Sequence, residues 1–243
     1  MNKGLVAIVI AVIMGMALIF TANILSNTAV SIKNKGYVQV TGYAKQEILS
    51  DLGIIEAVIK TESPDIKECY KKLAADRDKL RIYLGKEHTV TSGELVVKPA
   101  SIQEVYKIND RGFDTEELVK YVLSQTIRVE TKDVKKVEKI SSEMIELLDE
   151  GVKLDIMSPE YHYTALEGLK IEMIGKATAN ARERAIKIAK EGKFKLGSIA
   201  DVRVGVFQIT PKNSTDVSDY GYNDTTSIEK EIKSVVEIKY FVK

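Results

Sequence analysis

Glu117–Glu130 reads ELVKYVLSQTIRVE. In it Val119, Tyr121, Leu123, Ile127 and Val129 alternate with Lys120, Ser124, Thr126 and Arg128. Successive side chains of an extended chain point to opposite faces, so this period of two predicts a strand with one dry face and one wet face. The extended segment before it, residues 94–108, reaches it through Asn109-Asp110-Arg111-Gly112, a run of turn formers. The two predict an antiparallel pair, and Pro99, which cannot donate to a ladder, marks an edge or a bulge in the first.

Working outward, Tyr37–Tyr43 and Ile54–Thr61 have strand composition, and Ser50-Asp51 and Gly53 between them predict a hairpin. Ser63-Pro64-Asp65 supplies a hydroxyl cap, a proline at a position that needs no N–H, and an acid suited to the positive end of a helix. Ile66, Cys69, Leu73, Leu80 and Leu84 then recur at helical spacing as far as Gly85, which places Cys69 in the core. After the strand pair, Thr131 is the expected cap of a helix over 132–150. Val134, Val137, Ile140, Met144, Leu147 and Leu148 face inward in that reading, and Gly151 ends it. Lysines on its other face are interleaved with acids, the pattern of a solvated surface.

Thr164 and Glu167 have the spacing of a capping box before the longest helix, which runs to about Glu191. Leu166, Leu169, Met173, Ala177, Ala181, Ala185 and Ile188 form its inner stripe, and the alanines make a ridge narrow enough to approach a sheet closely. Strands return at Ile199–Ile209 and Glu231–Val242. The order predicts an α+β fold, antiparallel β-sheets with three packed α-helices.

The N-terminus is different. Gly4–Phe20 (GLVAIVIAVIMGMALIF) is uncharged and apolar, and extension to Leu25 gives about 20 residues, enough for the ~30 Å apolar layer of a bilayer. A cleaved signal peptide is the alternative. Against it, Ala22 has Phe20 at the −3 position, Ala29 has Asn27, and the run exceeds a signal core of about 7–15 residues. The expected organisation is a transmembrane signal anchor over 1–25, a tether over 26–35 and an exported domain over 36–243.

Lys+Arg number 36 and Asp+Glu 35 in 243 residues, without the basic excess usual in nucleic-acid binders. One Cys allows no intrachain disulfide, and with two distant His it cannot furnish a standard zinc site. There is no P-loop and no dinucleotide fingerprint. A hydroxyl–histidine pair could be assembled from Ser92 and His88, and His162 lies just before a helix cap, but neither Ser92 nor His88 sits on a recognisable nucleophile turn, and Cys69 lacks a CxxC partner.

The loop Pro211–Glu229 (PKNSTDVSDYGYNDTTSIE) is long, polar and carries two tyrosines between strands. Asp216, Asp219, Asn223 and Asp224 could offer oxygens to a hard cation, without EF-hand spacing. A subunit contact anchored by Tyr220 and Tyr222 is the favoured reading. Asn213 and Asn223 head glycosylation sequons.

The pieces VQVTGYA (38–44), SDLGIIEAVI (50–59), SQTIRVET (124–131), PEYHYTALEGLKIEM (159–173), ANARERAIKIAKEGKFKLGSI (179–199) and GVFQITPKNSTDVSDYG (205–221) together resemble the SIMPL-domain family. This is domain of unknown function 541, which includes a bacterial periplasmic immunogenic protein. The likeness covers about 36–243, and its last two pieces are the most specific. It implies an exported α+β protein that self-associates, in some members into ring or channel-like assemblies, with links to envelope or oxidative-stress tolerance. It brings no catalytic motif and no cofactor.

The resulting expectation is a non-enzymatic homo-oligomer without cofactor or metal. It is held in the bilayer by residues 4–25 as a single-pass protein, and its C-terminal domain is extracytoplasmic, periplasmic or cell-surface. Its partners are itself and lipid, not nucleic acid. The expected interface is Phe207, Gln208, Pro211, Asn213, Asp216, Asp219, Tyr220 and Tyr222. The alternative is an ion- or small-ligand-binding envelope module using the acidic 211–229 loop.

Overall fold

A computed structural model describes residues 12–26 and 36–243. It is α+β, with two sheets rich in antiparallel pairs. Residues 12–26 are helical (α1). There follow β1 (Tyr37–Leu49), β2 (Leu52–Ser63), α2 (Ile66–Glu87), β3 (Leu95–Val97), β4 (Ser101–Ile108) and β5 (Asp114–Thr131). Next come α3 (Val134–Glu143), a 3₁₀ turn (Met144–Leu148), β6 (Leu154–Ile156), β7 (Glu160–His162) and α4 (Leu166–Glu191). The last strands are β8 (Leu196–Val204), β9 (Gln208–Pro211), β10 (Tyr222–Asn223) and β11 (Glu229–Val242).

One sheet has the order β1-β11-β9-β10, with β8 also on β11; the other has the order β3-β5-β2-β6, with β4 on β5 and β7 on β2. The chain divides into two compact units. The first holds the described residues up to Ala44, Ile174–Gly205 and Ser234–Lys243; the second holds Lys45–Met173 and Val206–Lys233.

In the second unit β5 is the spine, as its alternation predicts. It pairs antiparallel with β2 from Gly53↔Thr131 to Ser63↔Tyr121, and on its other edge with β3 and then β4. Ile55, Ala57 and Ile59 of β2 with Leu123, Ile127 and Val129 of β5 form the floor of the core. Cys69, Leu73, Leu80 and Leu84 of α2 and Val137 and Ile140 of α3 cover it. Burying each of the Ile, Leu and Val side chains among them contributes ~1.5–3 kcal/mol. The Cys69 thiol lies within 3.3 Å of the Thr61 carbonyl, the core position its spacing predicts.

The expected β1–β2 hairpin does not form, because the two strands belong to different sheets. The Ser50-Asp51 link is pinned to other partners. Ser50 N–H donates to Ile228 C=O and Asp51 N–H to His162 C=O, both at 2.9 Å. The helix over 132–150 is shorter than expected. Asp133, not Thr131, caps it, accepting from the Lys136 amide at 3.1 Å, and its last turns tighten into the 3₁₀ segment with Leu148 turned outward. The capping box before α4 is not made. Thr164 directs its amide and hydroxyl to the two carboxylate oxygens of Asp51, each at 2.7 Å. The strand over 199–209 is broken at Gly205 into β8 and β9, which follow one another along the same β11.

In the first unit the alanine ridge of α4 does what its width allows. Ala177, Ala181 and Ala185 are fully buried, and a Cβ on Gly42 of β1 would stand 2.0 Å from the Ala177 carbonyl oxygen and 2.7 Å from Ala181 Cβ. Asn180 Oδ1 accepts from the Tyr43 amide at 3.1 Å, and Arg184 donates to the Thr41 carbonyl at 2.9 Å. Ile188, expected inward, is exposed, and Ala189 takes the buried place.

Of the expected membrane span, residues 4–11 lie outside the described residues, as do 27–35 of the tether. Among the described residues no helix is long and apolar enough to cross a membrane. In α1, Val12, Ile13, Met14, Met16, Leu18, Ile19, Phe20, Ile24 and Leu25 are all exposed, with Thr21, Asn23 and Ser26 exposed toward its end. Thr21 folds its hydroxyl back onto the Ala17 and Leu18 carbonyls, both at 3.0 Å.

Candidate interaction surface

The segment after β9 returns to the sheet and adds β10 parallel to it, with Tyr222↔Gln208 and Asn223↔Ile209 in register. Gly221 makes the return possible. Its φ is +87°, a conformation glycine adopts without a Cβ penalty, and an added Cβ would press on the Phe207 carbonyl at 3.0 Å. Between the strands the loop is held by one side chain at its middle. Gln208 Nε2 donates to the Ser218 carbonyl at 2.6 Å while the Ser218 amide donates to Gln208 Oε1 at 3.2 Å.

The root of the loop is a buried charged network. Asp224 accepts from the Thr226 amide at 2.9 Å, the Thr226 hydroxyl at 2.8 Å and the Ser227 amide at 3.2 Å. Burial would raise its carboxyl, but these hydrogen bonds and the Lys230 charge outweigh it and hold it below the usual carboxylate range. Lys230, itself buried, donates to the Tyr161 and Asp224 carbonyls, and burial pushes its pKa down. Glu231 is buried beside Lys45 and Lys233. Burial opposes its ionisation, yet hydrogen bonds from the two lysines keep it below its ordinary value. Lys233 reaches the Ser214 carbonyl at 2.7 Å, and Lys212 lies between Glu47 and Glu229.

On this footing the predicted interface residues separate into two groups. Phe207, Tyr220 and Tyr222 line one groove of about 390 Å³ with Leu166, Lys170 and Val206. Pro211, Asn213 and Asp216 lie in the outgoing turn, where Asn213 adopts φ 64° and Asp216 accepts the Ser214 hydroxyl at 2.7 Å. Gln208 is a brace, and Asp219 is exposed. Tyr220 is 97% exposed and Val217, which the sequence reading passed over, 77%. Val217 was legible as the one aliphatic residue amid polar neighbours in 212–220. Leu166 and Lys170 join the surface only through the fold.

The acids of the loop are not gathered for a cation. Asp224 is committed to the turn, and among the described residues no group of three or more His, Cys, Asp or Glu side chains is placed to hold a metal ion. His88 is buried, its ring edge-on to Tyr83 with centroids 5.2 Å apart and Nε2 3.8 Å from Glu143, whereas Ser92 is exposed. His162 Nε2 lies 3.1 Å from Glu160.

Among curated proteins none matches this chain. The family profile SIMPL, described as a protein of unknown function (DUF541), matches residues 38–240, from the start of β1 almost to the end of β11. A match over that much of the sequence, on the α+β framework described above, places the chain in the SIMPL family, to which it belongs.

Proposed function

We propose that this SIMPL protein is a non-enzymatic, self-assembling component of the cell envelope, anchored in a membrane by its N-terminal segment, with its α+β domain outside the cytoplasm and a structural or stress-related role. The observation that carries the reading is the loop surface. Tyr220 stands almost fully and Val217 largely in water, on a segment whose base is fixed by Gln208, Asp224 and Lys230. Exposed aromatic and aliphatic side chains on a pre-ordered support bind a protein surface with little ordering cost. Anchoring is supported by α1, whose residues from Val12 to Phe20 are all apolar or glycine and which continues the uncharged run from Gly4. A helix of that kind belongs in lipid or in a protein core.

The test uses the full chain. Membranes washed at alkaline pH retain it, and in mild detergent its mass, corrected for bound detergent, is a multiple of 27.0 kDa. The double substitution Val217→Ser with Tyr220→Ser lowers that mass while the circular dichroism spectrum is unchanged. A full chain that is strictly monomeric at micromolar concentration overturns self-assembly, and its release by the alkaline wash overturns anchoring.

A further inference from the structure

The hairpin β4–β5 outruns its sheet. β2 covers β5 only as far as Tyr121, so Asp114–Lys120 of β5 pairs with β4 alone. A two-stranded ribbon is marginal in water by itself, and this one leaves Ile102 58%, Ile108 64% and Phe113 68% exposed. Residues directly opposite on paired strands share a face, and Ile102 lies opposite Leu123, a core residue. Ile102, Glu104, Tyr106 and Ile108, alternate residues of β4, therefore continue the core face outward past the end of β2.

The irregularities of the hairpin fall on β5. Between Val105↔Lys120 and Tyr106↔Leu118, and again before Ile108↔Asp114, the extra residues belong to β5, so β4 runs regularly from Ser101 to Ile108. Among the described residues β4 pairs with no strand but β5, so its outer edge presents a row of backbone donors and acceptors.

We propose that β4 pairs antiparallel with β4 of a second copy across a two-fold axis at Val105. The inference rests on the self-assembly proposed above and names one of its interfaces. The sequence Ser101-Ile102-Gln103-Glu104-Val105-Tyr106-Lys107-Ile108-Asn109 is self-complementary about that axis. Ile102 meets Ile108 of the second copy, Gln103 meets Lys107, and Glu104 meets Tyr106, whose hydroxyl already donates to Glu104 within one chain at 2.5 Å. No like charges are opposed. Centring on Glu104 would set that carboxylate against its own copy, and centring on Tyr106 would set Glu104 against Ile108, so charge complementarity selects Val105. The product is a four-stranded arm in place of two exposed ribbons. Because the interface is isologous, it leaves the 206–222 surface free for a further contact.

The full chain in mild detergent provides the test. Val105→Cys forms a disulfide-linked dimer under mild oxidation faster than Asp110→Cys, placed away from the axis. The buried Cys69 of the unsubstituted chain gives the background. Gln103 is exposed, and its two charge substitutions should act with opposite sign. Gln103→Glu faces Lys107 of the second copy twice and lowers the dimer Kd about 3- to 10-fold, and Gln103→Lys raises it by a similar factor. Cross-linking at Val105 no faster than at Asp110, or Gln103 variants that shift Kd together or not at all, overturns the inference. If the loop double substitution lowers the mass while every β4 variant leaves it unchanged, only this inference falls. A full chain that never assembles removes the reading on which it rests.

Discussion

Gln208 and Ser218 close a two-hydrogen-bond ring, the side-chain amide of one against the backbone amide and carbonyl of the other, at 2.6 and 3.2 Å. This ring fixes the middle of a loop whose ends are fixed by β9 and β10. Gln208→Ala removes both bonds and costs about 1–2 kcal/mol locally. Hydrogen exchange at the Ser218 amide should accelerate about 5- to 30-fold while amides of β2 and β5 keep their protection.

Lys230 is expected to be the costlier position to change. Its ammonium satisfies two buried carbonyls, and Lys230→Met fills the volume but leaves the Tyr161 and Asp224 oxygens without that donor. The expected loss is about 2–4 kcal/mol, read as a lower denaturant midpoint at unchanged slope. A loss below 0.5 kcal/mol would mean that water replaces the ammonium.

Gly42 has no room for any side chain. Alanine there would place Cβ at 2.0 Å from the Ala177 carbonyl oxygen, a clash only backbone movement relieves. Gly42→Ala should cost at least ~3 kcal/mol, at the upper end of overpacking effects. By contrast, Gly85 has nothing within 4 Å of its Cβ position. Gly85→Ala, in the last turn of α2, should be stabilising by up to about 0.5 kcal/mol. Thermal melts of the two variants should move in opposite directions.

His88 makes stability depend on pH. Burial lowers its pKa below the ordinary histidine value, and the nearby Lys139 lowers it too; Glu143, Glu87 and Glu146 pull the other way without prevailing. The unfolded chain therefore binds the proton first. Its contribution to stability is complete above the unfolded value of about 6.5 and is lost as pH falls through and below it. His88→Phe should flatten the stability profile between pH 7 and 5. An unchanged slope would assign that slope to other groups.

The sequence made the strands and helices readable where one face is dry. β5 was legible from alternation, α2 from Cys69, Leu73, Leu80 and Leu84, and the close approach of α4 from its three alanines. Pairing was not legible where distant partners decide it. Nothing near Ser50-Asp51 announces that Ile228 and His162 will receive their amides and send β1 and β2 to different sheets. Thr164 has the spacing of a capping residue, and only the fold brings Asp51 within 2.7 Å of it. At the candidate surface the aromatic residues stood out locally. The burial of Lys230 and Glu231 has no local signal, because Tyr161, 69 positions from Lys230, and Lys45 of β1, beside Glu231, are brought to them by the fold.

The pairing of β1 with β11 has a kinetic consequence. β1 ends at Leu49 and β11 begins at Glu229, and Gly36 and Val242 meet through a 2.9 Å hydrogen bond. During synthesis β1 therefore waits for most of the polypeptide to emerge before its neighbour exists. The β2–β5 half can close much earlier, so β1 stays without its sheet neighbour until the last strand has emerged.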